Sequence, residues 1–296
     1  MAVEAGRLGT SIIRHDCMSD RLIITPTARK PAILEVIRSA RSRIALSLFR
    51  GNDPDIFAEL AAAVGRGVRV DVLVTSNAKG GANKIGKLWD RLKTTGARIH
   101  AYGDPVVKYH AKYLVADDRR AIVASLNLTK KCFERTQDVV VITNDRHVVD
   151  SLSRIFEADR QRQPLPGDLS PRLVIGPERA RRQLADLIDG ARESIRVLDA
   201  KLSDPDLLTR LQSRRAAGLT LEVITAKKIA GLKSHAKIVL VDGRAAVVGG
   251  LALTALSLEF RREVAILLED PATLATVEEL FSGARAAGAS AEPSPA

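Results

Sequence analysis

Short runs dense in β-branched and apolar residues recur along the chain. LIIT (22–25), RIALSLF (43–49), VDVLVTS (70–76), KYLVADD (112–118), AIVAS (121–125) and DVVVIT (138–143) have the length and composition of strands. Between them, PAILEVIRSA (31–40) and IFAELAAAVGRG (56–67) repeat apolar positions at helical spacing, and the second half of the chain goes through the same order. The alternation predicts a layered α/β fold. Because the strands are apolar almost without interruption, the sheet is expected to be covered on both faces.

The pattern is also duplicated. RLIITPTARKPAILEVIRSARSRIALSLFRGNDPDIFAEL (21–60) is echoed by RLVIGPERARRQLADLIDGARESIRVLDAKLSDPDLLTRL (172–211), with Asp53-Pro54-Asp55 falling on Asp204-Pro205-Asp206 at an offset of 151. VRVDVLVTS (68–76) matches LTLEVITA (219–226). Later the offset drops to 125, so the first half carries 26 extra residues, 151 less 125. They fall in KGGANKIGKLWDRLKTTGARIHAYGD (79–104), read as a helix and strand that extend the sheet. RQRQPLPGDLSP (160–171), rich in proline, reads as the joint. The expected organisation is an N-terminal extension (1–20), a first repeat (21–160), a linker (161–171), a second repeat (172–287) and a disordered tail (288–296).

Composition narrows the partners. Forty-six Lys and Arg against 35 Asp and Glu give a formal charge of +11, which favours nucleic acid or an anionic membrane surface without choosing between them. Cys17 and Cys132 lack metal-ligand or disulfide spacing, so neither a metal nor another cofactor is expected. The N-terminal stretch has no signal-peptide pattern and no run is long enough to span a bilayer. The expectation is a cytoplasmic monomer touching membranes at most peripherally.

Chemistry is concentrated in one motif, written twice. His110-x-Lys112-x4-Asp117 recurs as His235-x-Lys237-x4-Asp242, each leading into an apolar run. Asp138 follows the first histidine by 28 residues and Glu263 follows the second by the same interval, which suggests a histidine-orienting carboxylate in each half. Ser125 and Asn127 follow the first motif, whereas Gly250 and Ala252 stand at the matching places of the second. Asp117 and Asp242, at strand ends before Asp118-Arg119 and Gly243-Arg244, read also as turn residues that tie the structure.

His110-x-Lys112-x4-Asp117-x6-Ala124-Ser125-x-Asn127 resembles the signature of the phospholipase D superfamily, and His235-x-Lys237-x4-Asp242-x6-Gly249 resembles its partner. The resemblance covers about 21 to 283. It implies two α/β/α sandwich repeats packed about a pseudo-two-fold axis, with both His-Lys pairs converging on one metal-independent site. One imidazole would attack phosphorus and form a phosphohistidine while the other protonates the leaving oxygen. Lys112 and Lys237 would hold the non-bridging oxygens, and Asp138 and Glu263 would each bond the imidazole of its own repeat. With Ser125 and Asn127 as phosphate donors beside the first motif, His110 is assigned as nucleophile and His235 as acid. The substrate expected first is a phospholipid head group. A nuclease, a phosphatidyltransferase such as a cardiolipin synthase, and a polyanion-binding protein with an impaired second motif remain open.

Overall fold

The structure, a computed structural model, describes residues 20–76 and 82–288. The proposed N-terminal extension apart from Asp20, the start of the 79–104 segment, Cys17, and the proposed tail past Gly288 lie outside the described residues.

In the first half the elements are β1 (Arg21–Ile23), α1 (Pro26–Ser39), β2 (Arg43–Leu48), α2 (Pro54–Gly65), β3 (Arg69–Thr75), α3 (Ala82–Lys93), β4 (Arg98–Tyr102), β5 (Lys108–Tyr109), β6 (Tyr113–Ala116), β7 (Arg120–Ala124), α4 (Lys130–Glu134), β8 (Thr136–Gln137), β9 (Val140–Thr143) and α5 (Arg146–Gln161). The second half has β10 (Leu173–Gly176), α6 (Ala180–Asp189), β11 (Ser194–Leu198), α7 (Pro205–Ala216), β12 (Thr220–Ile224), β13 (Lys228–Ile229), β14 (Leu232–Ser234), β15 (Lys237–Val241), β16 (Ala245–Gly249), α8 (Ala255–Phe260), β17 (Arg261–Leu268) and α9 (Pro271–Ala286). The duplicated Asp-Pro-Asp is one N-cap used twice. Asp53 accepts the Asp55 N–H at 3.1 Å and Asp204 the Leu207 N–H at 3.1 Å, each with proline as the first helical residue.

Each half builds a mixed sheet, ordered β1-β9-β7-β6-β2-β3-β4 in the first and β10-β17-β16-β15-β11-β12 in the second. The extra segment supplies α3 and the edge strand β4, which pairs parallel with β3, as the pattern predicted. Apolar layers cover both faces. One cluster around Ile37, Leu60 and Val72 packs the outer side of the first sheet, and one around Leu184, Leu207 and Val239 does so for the second. A third lies between the sheets and draws on both halves, with Phe156 of α5 and Phe281 of α9 buried in it.

The halves are also stitched by strands that leave their own repeat. β5 of the first half pairs parallel with β17 of the second, Lys108 against Arg261 and Tyr109 against Arg262. β8 of the first half pairs parallel with β14 of the second, Thr136 against Lys233 and Gln137 against Ser234. Beneath the first of these crossings the buried Arg262 guanidinium donates to Asp159 at 2.9 Å, to Glu178 and to the Gly176 carbonyl, joining α5 to the second half. An arginine so enclosed stays charged because two carboxylates and a carbonyl satisfy it.

Candidate active site

The two strand crossings deliver the two histidines to one place. His110 follows β5 directly and its N–H donates to the Arg262 carbonyl at 2.9 Å; His235 follows β14 and its N–H donates to the Gln137 carbonyl at 3.1 Å. Each motif histidine is therefore held against the strand of the opposite half that carries a carboxylate, and the pairing comes out crossed. His235 Nδ1 lies 2.6 Å from Asp138 Oδ1, and His110 Nδ1 lies 2.5 Å from Glu263 Oε1. This corrects the expectation that each carboxylate serves its own repeat. The reason is the parallel pairing of β8 with β14 and of β5 with β17, which puts the next residue, Asp138 or Glu263, beside the partner half's imidazole.

The two dyads differ in quality. Asp138 is fully buried and its carboxylate accepts from His235, from the Ser125 hydroxyl at 2.5 Å and from the Thr136 hydroxyl. Burial pushes its pKa up, but these hydrogen bonds outweigh burial and hold it below the usual range. Glu263 receives only the Ala252 N–H at 3.3 Å on Oε2; its Oε1 is close to His110 without hydrogen-bond alignment, and burial pushes its pKa up. His110 is driven well below its ordinary value by burial and then by the charges of Lys112, Arg261 and Lys237. Burial also lowers His235, and its hydrogen bond to the Asp138 carboxylate opposes the shift.

Both lysines curl back on their own motif. Lys112 Nζ donates to the His110 carbonyl at 2.6 Å and Lys237 Nζ to the His235 carbonyl. Lys112 is buried and pushed down to about 7, with Glu263 opposing the fall. Lys237 is also lowered by burial, with the buried carboxylate of Asp199 opposing the fall. The position of Asp199 in the duplication is Leu48 in the first half, so Lys112 has no counterpart of this carboxylate.

Other predicted residues fall elsewhere. Ser125 does not face a phosphate: it is fully buried and its proton is spent on Asp138. Asn127 is half-buried, with Oδ1 enclosed and unpartnered. Gly250, which replaces the serine in the second repeat, lies against the first lysine; a Cβ there would come within 3.5 Å of Lys112 Nζ. Asp117 accepts the N–H groups of Ser42 and Arg43 and Asp242 those of Glu193 and Ser194, all at 2.8–2.9 Å. Both aspartates sit at positive φ in the hairpins β6–β7 and β15–β16, tying each turn to the start of β2 or β11. They anchor the sheets and make no contact with either histidine.

Pattern reading missed Asp199, Arg261, whose guanidinium is 3.7 Å from Glu263, and Phe49, whose ring centroid is 4.3 Å from that of His110. None has a like residue in the other half: the counterparts are Leu48, Thr136 and Ala200. Cys132 Sγ, Asp138 and His235 also come within 4.8 Å of one another, a proximity invisible in the spacing of the cysteines. The oxygens of Asp138 are already taken by three donors, which does not suit a resident metal ion.

Residues 33–160 match the family model described as the cardiolipin synthase, phospholipase D-like domain. Among solved structures, polyphosphate kinase from Porphyromonas gingivalis superposes with a TM-score of 0.74 at 20% identity, covering 89% of this chain and 46% of the kinase, so the chain spans less than half of that protein. Phosphatidylserine synthase from Haemophilus influenzae superposes with a TM-score of 0.72 at 13% identity over 90% of this chain and 86% of the synthase. Among curated proteins none matches the sequence. The chain has the phospholipase D-like fold along nearly its whole length, and the similarity to the family model is confined to residues 33–160.

Proposed function

We propose that this chain, with its two phospholipase D-like halves, is a metal-independent phosphodiesterase that cleaves phospholipid head groups, or transfers the phosphatidyl group, through a phosphohistidine. The observation that carries the reading is the unequal pair of crossed dyads. Because Nδ1 of His235 is bonded to Asp138 and Nδ1 of His110 faces both Glu263 Oε1 at 2.5 Å and Lys112 Nζ at 3.0 Å, Nε2 is the less engaged nitrogen of each ring and the one taken for chemistry. His110, desolvated and ringed by cations, is the neutral imidazole and attacks phosphorus; the P–O bond to the head group breaks as the new P–N bond forms. His235, whose protonated form Asp138 supports, gives its Nε2 proton to the leaving oxygen. It then takes a proton from water, whose oxygen attacks phosphorus and breaks the P–N bond.

Lys112 and Lys237 stand where charge builds up on the non-bridging oxygens, and the Asn127 amide is the remaining donor beside the first motif. A phospholipid is favoured because a phosphatidylserine synthase shares the fold over most of both chains and the matched family is a cardiolipin synthase domain. The chain is read as a monomer, since both half-sites lie within it.

The test is parallel incubation, in chelator, of the purified protein with fluorescent phosphatidylcholine, phosphatidylglycerol and DNA. Lipid turnover with phosphate on a histidine is the expected result. Activity that chelator abolishes and magnesium or zinc restores overturns the metal-independent mechanism, and turnover of DNA alone overturns the substrate.

A further inference from the structure

The duplication makes the two rims of the site directly comparable: both carry an exposed lysine of the matched pair Lys108 and Lys233, and they differ at two other exposed positions. α4 and α8 occupy equivalent places, each capped by a threonine, Thr129 or Thr254, and each running into the strand that carries a carboxylate. Exposed on α4 and at the residue that ends it are Lys130, Lys131, Glu134 and Arg135; the matching exposed positions on α8 are Ala255, Leu256, Glu259 and Phe260, so the glutamate is common to both while Lys131 and Arg135 stand where the other half has Leu256 and Phe260. Leu256 is 46% exposed and Phe260 45%. Among the described residues only one other large apolar side chain is as open, Val106 at 62%, and it lies two residues ahead of Lys108, which pairs with Arg261 beside Phe260. All three open apolar side chains therefore flank the crossing that seats His110, where Phe49 also packs.

The opposite rim is basic. The Lys233 N–H donates to the Arg135 carbonyl, so the hairpin β13–β14 lies beside the end of α4. In that hairpin Lys228 stands directly across from Lys233. Like charges directly opposed in a strand pair destabilise it. Lys131, Arg135, Lys228 and Lys233 are exposed, and none makes an ion pair among the described residues. This rim borders His235, which follows the hairpin.

We infer that the site is polarised for a lipid phosphodiester whose leaving head group carries a further negative charge: the acyl part lies on Leu256, Phe260 and Val106 beside His110, and the charged head group on Lys131, Arg135, Lys228 and Lys233 beside His235. This rests on the assignment of His235 as the acid, because the leaving oxygen must then be on the basic side. A nucleic acid, charged along its whole length, matches only one of the two rims.

Two variants of the full chain test it. L256K/F260R gives the second rim the residues of the first, and K228A/K233A strips the hairpin. The substrates are vesicles of phosphatidylcholine containing either phosphatidylglycerophosphate or phosphatidylglycerol of the same chains, with bis(p-nitrophenyl) phosphate as a small reference. The expected result is that L256K/F260R lowers kcat/KM for both lipids about tenfold relative to the reference, whereas K228A/K233A removes a preference for the phosphorylated head group. Unchanged ratios in both variants overturn the inference, as does DNA cleavage that L256K/F260R accelerates. Cosedimentation with the same vesicles needs no turnover: equal binding by wild type and L256K/F260R overturns the inference even in an inactive protein. Absence of turnover with binding still lost in the variant overturns the proposed reaction and leaves the rim assignment standing.

Discussion

Asp138 of the first half and His235 of the second, 97 residues apart in sequence, form the better-made of the two carboxylate–imidazole pairs, 2.6 Å from carboxylate to imidazole. The contact runs between halves, so a carboxylate substitution should affect the histidine of the opposite motif.

Asp138→Asn is expected to lower kcat by roughly 10²- to 10³-fold on lipid substrates, comparable to the loss of a general acid. Its effect should be strongly non-additive with His235→Ala, because both changes act on the same proton donor. The double-mutant cycle in kcat/KM checks this; additive effects of the two changes would mean that Asp138 does not act through His235.

The roles of the histidines separate on a substrate whose leaving group needs no proton. With a p-nitrophenyl phosphodiester, His235→Ala should still release a burst of nitrophenol and accumulate phosphate on His110, because the same acid is needed to activate water. His110→Ala should show neither. Mass spectrometry of the quenched enzyme locates the adduct, and finding it on His235 reverses the assignment.

The pH profile follows from Lys112. Its pKa, about 7, means that the ammonium is present below that pH and lost above it. For the nitrophenyl substrate kcat/KM should fall as pH rises through about 7. Alkyl phosphodiesters should fall earlier as well, when His235, itself below its ordinary value, loses the proton it must donate. A bound phosphate anion favours both charged forms, so the limb in kcat should move to higher pH. Rates rising through pH 7 for both substrates would contradict the assignment.

Lys112 should also weaken the fold. Between pH 7 and its unfolded value of 10.5 the unfolded chain holds a proton that the folded one has released, so stability from this group rises with pH across that window and the deficit is complete below it. Lys112→Met should therefore abolish turnover and raise Tm at pH 6 by about 4 °C or more, with the gain shrinking towards pH 10. Calorimetry at the two pH values decides it.

The fold and the centre of the site were legible because duplication doubled each signal: the His-x-Lys pairs, the carboxylates 28 residues on, and the Asp-Pro-Asp caps all recur. The crossing of the dyads was not legible, since it depends on which strands meet across the halves, and spacing within a repeat says nothing about that. Matching positions also hid residues present once. Asp199, Arg261 and Phe49 stand where the other half has Leu48, Thr136 and Ala200, so the comparison that revealed the motif passed over them. Ser125 was recognised by type and misplaced by role, because its burial against Asp138 is a tertiary fact. Asp117 and Asp242 kept their spacing for the sake of two hairpins.

Joining the two halves in one chain has an evolutionary consequence. In a symmetric dimer of identical repeats every substitution would be felt at both histidines, so a change that made one a better nucleophile would make the other a worse acid. Here Asp138 and Glu263, Thr136 and Arg261, and Leu48 and Asp199 have diverged independently, and Asp138, Thr136 and Leu48 on one copy cannot drag the other along. Fusion releases the two imidazoles from a shared fate, and selection can adjust each proton affinity separately.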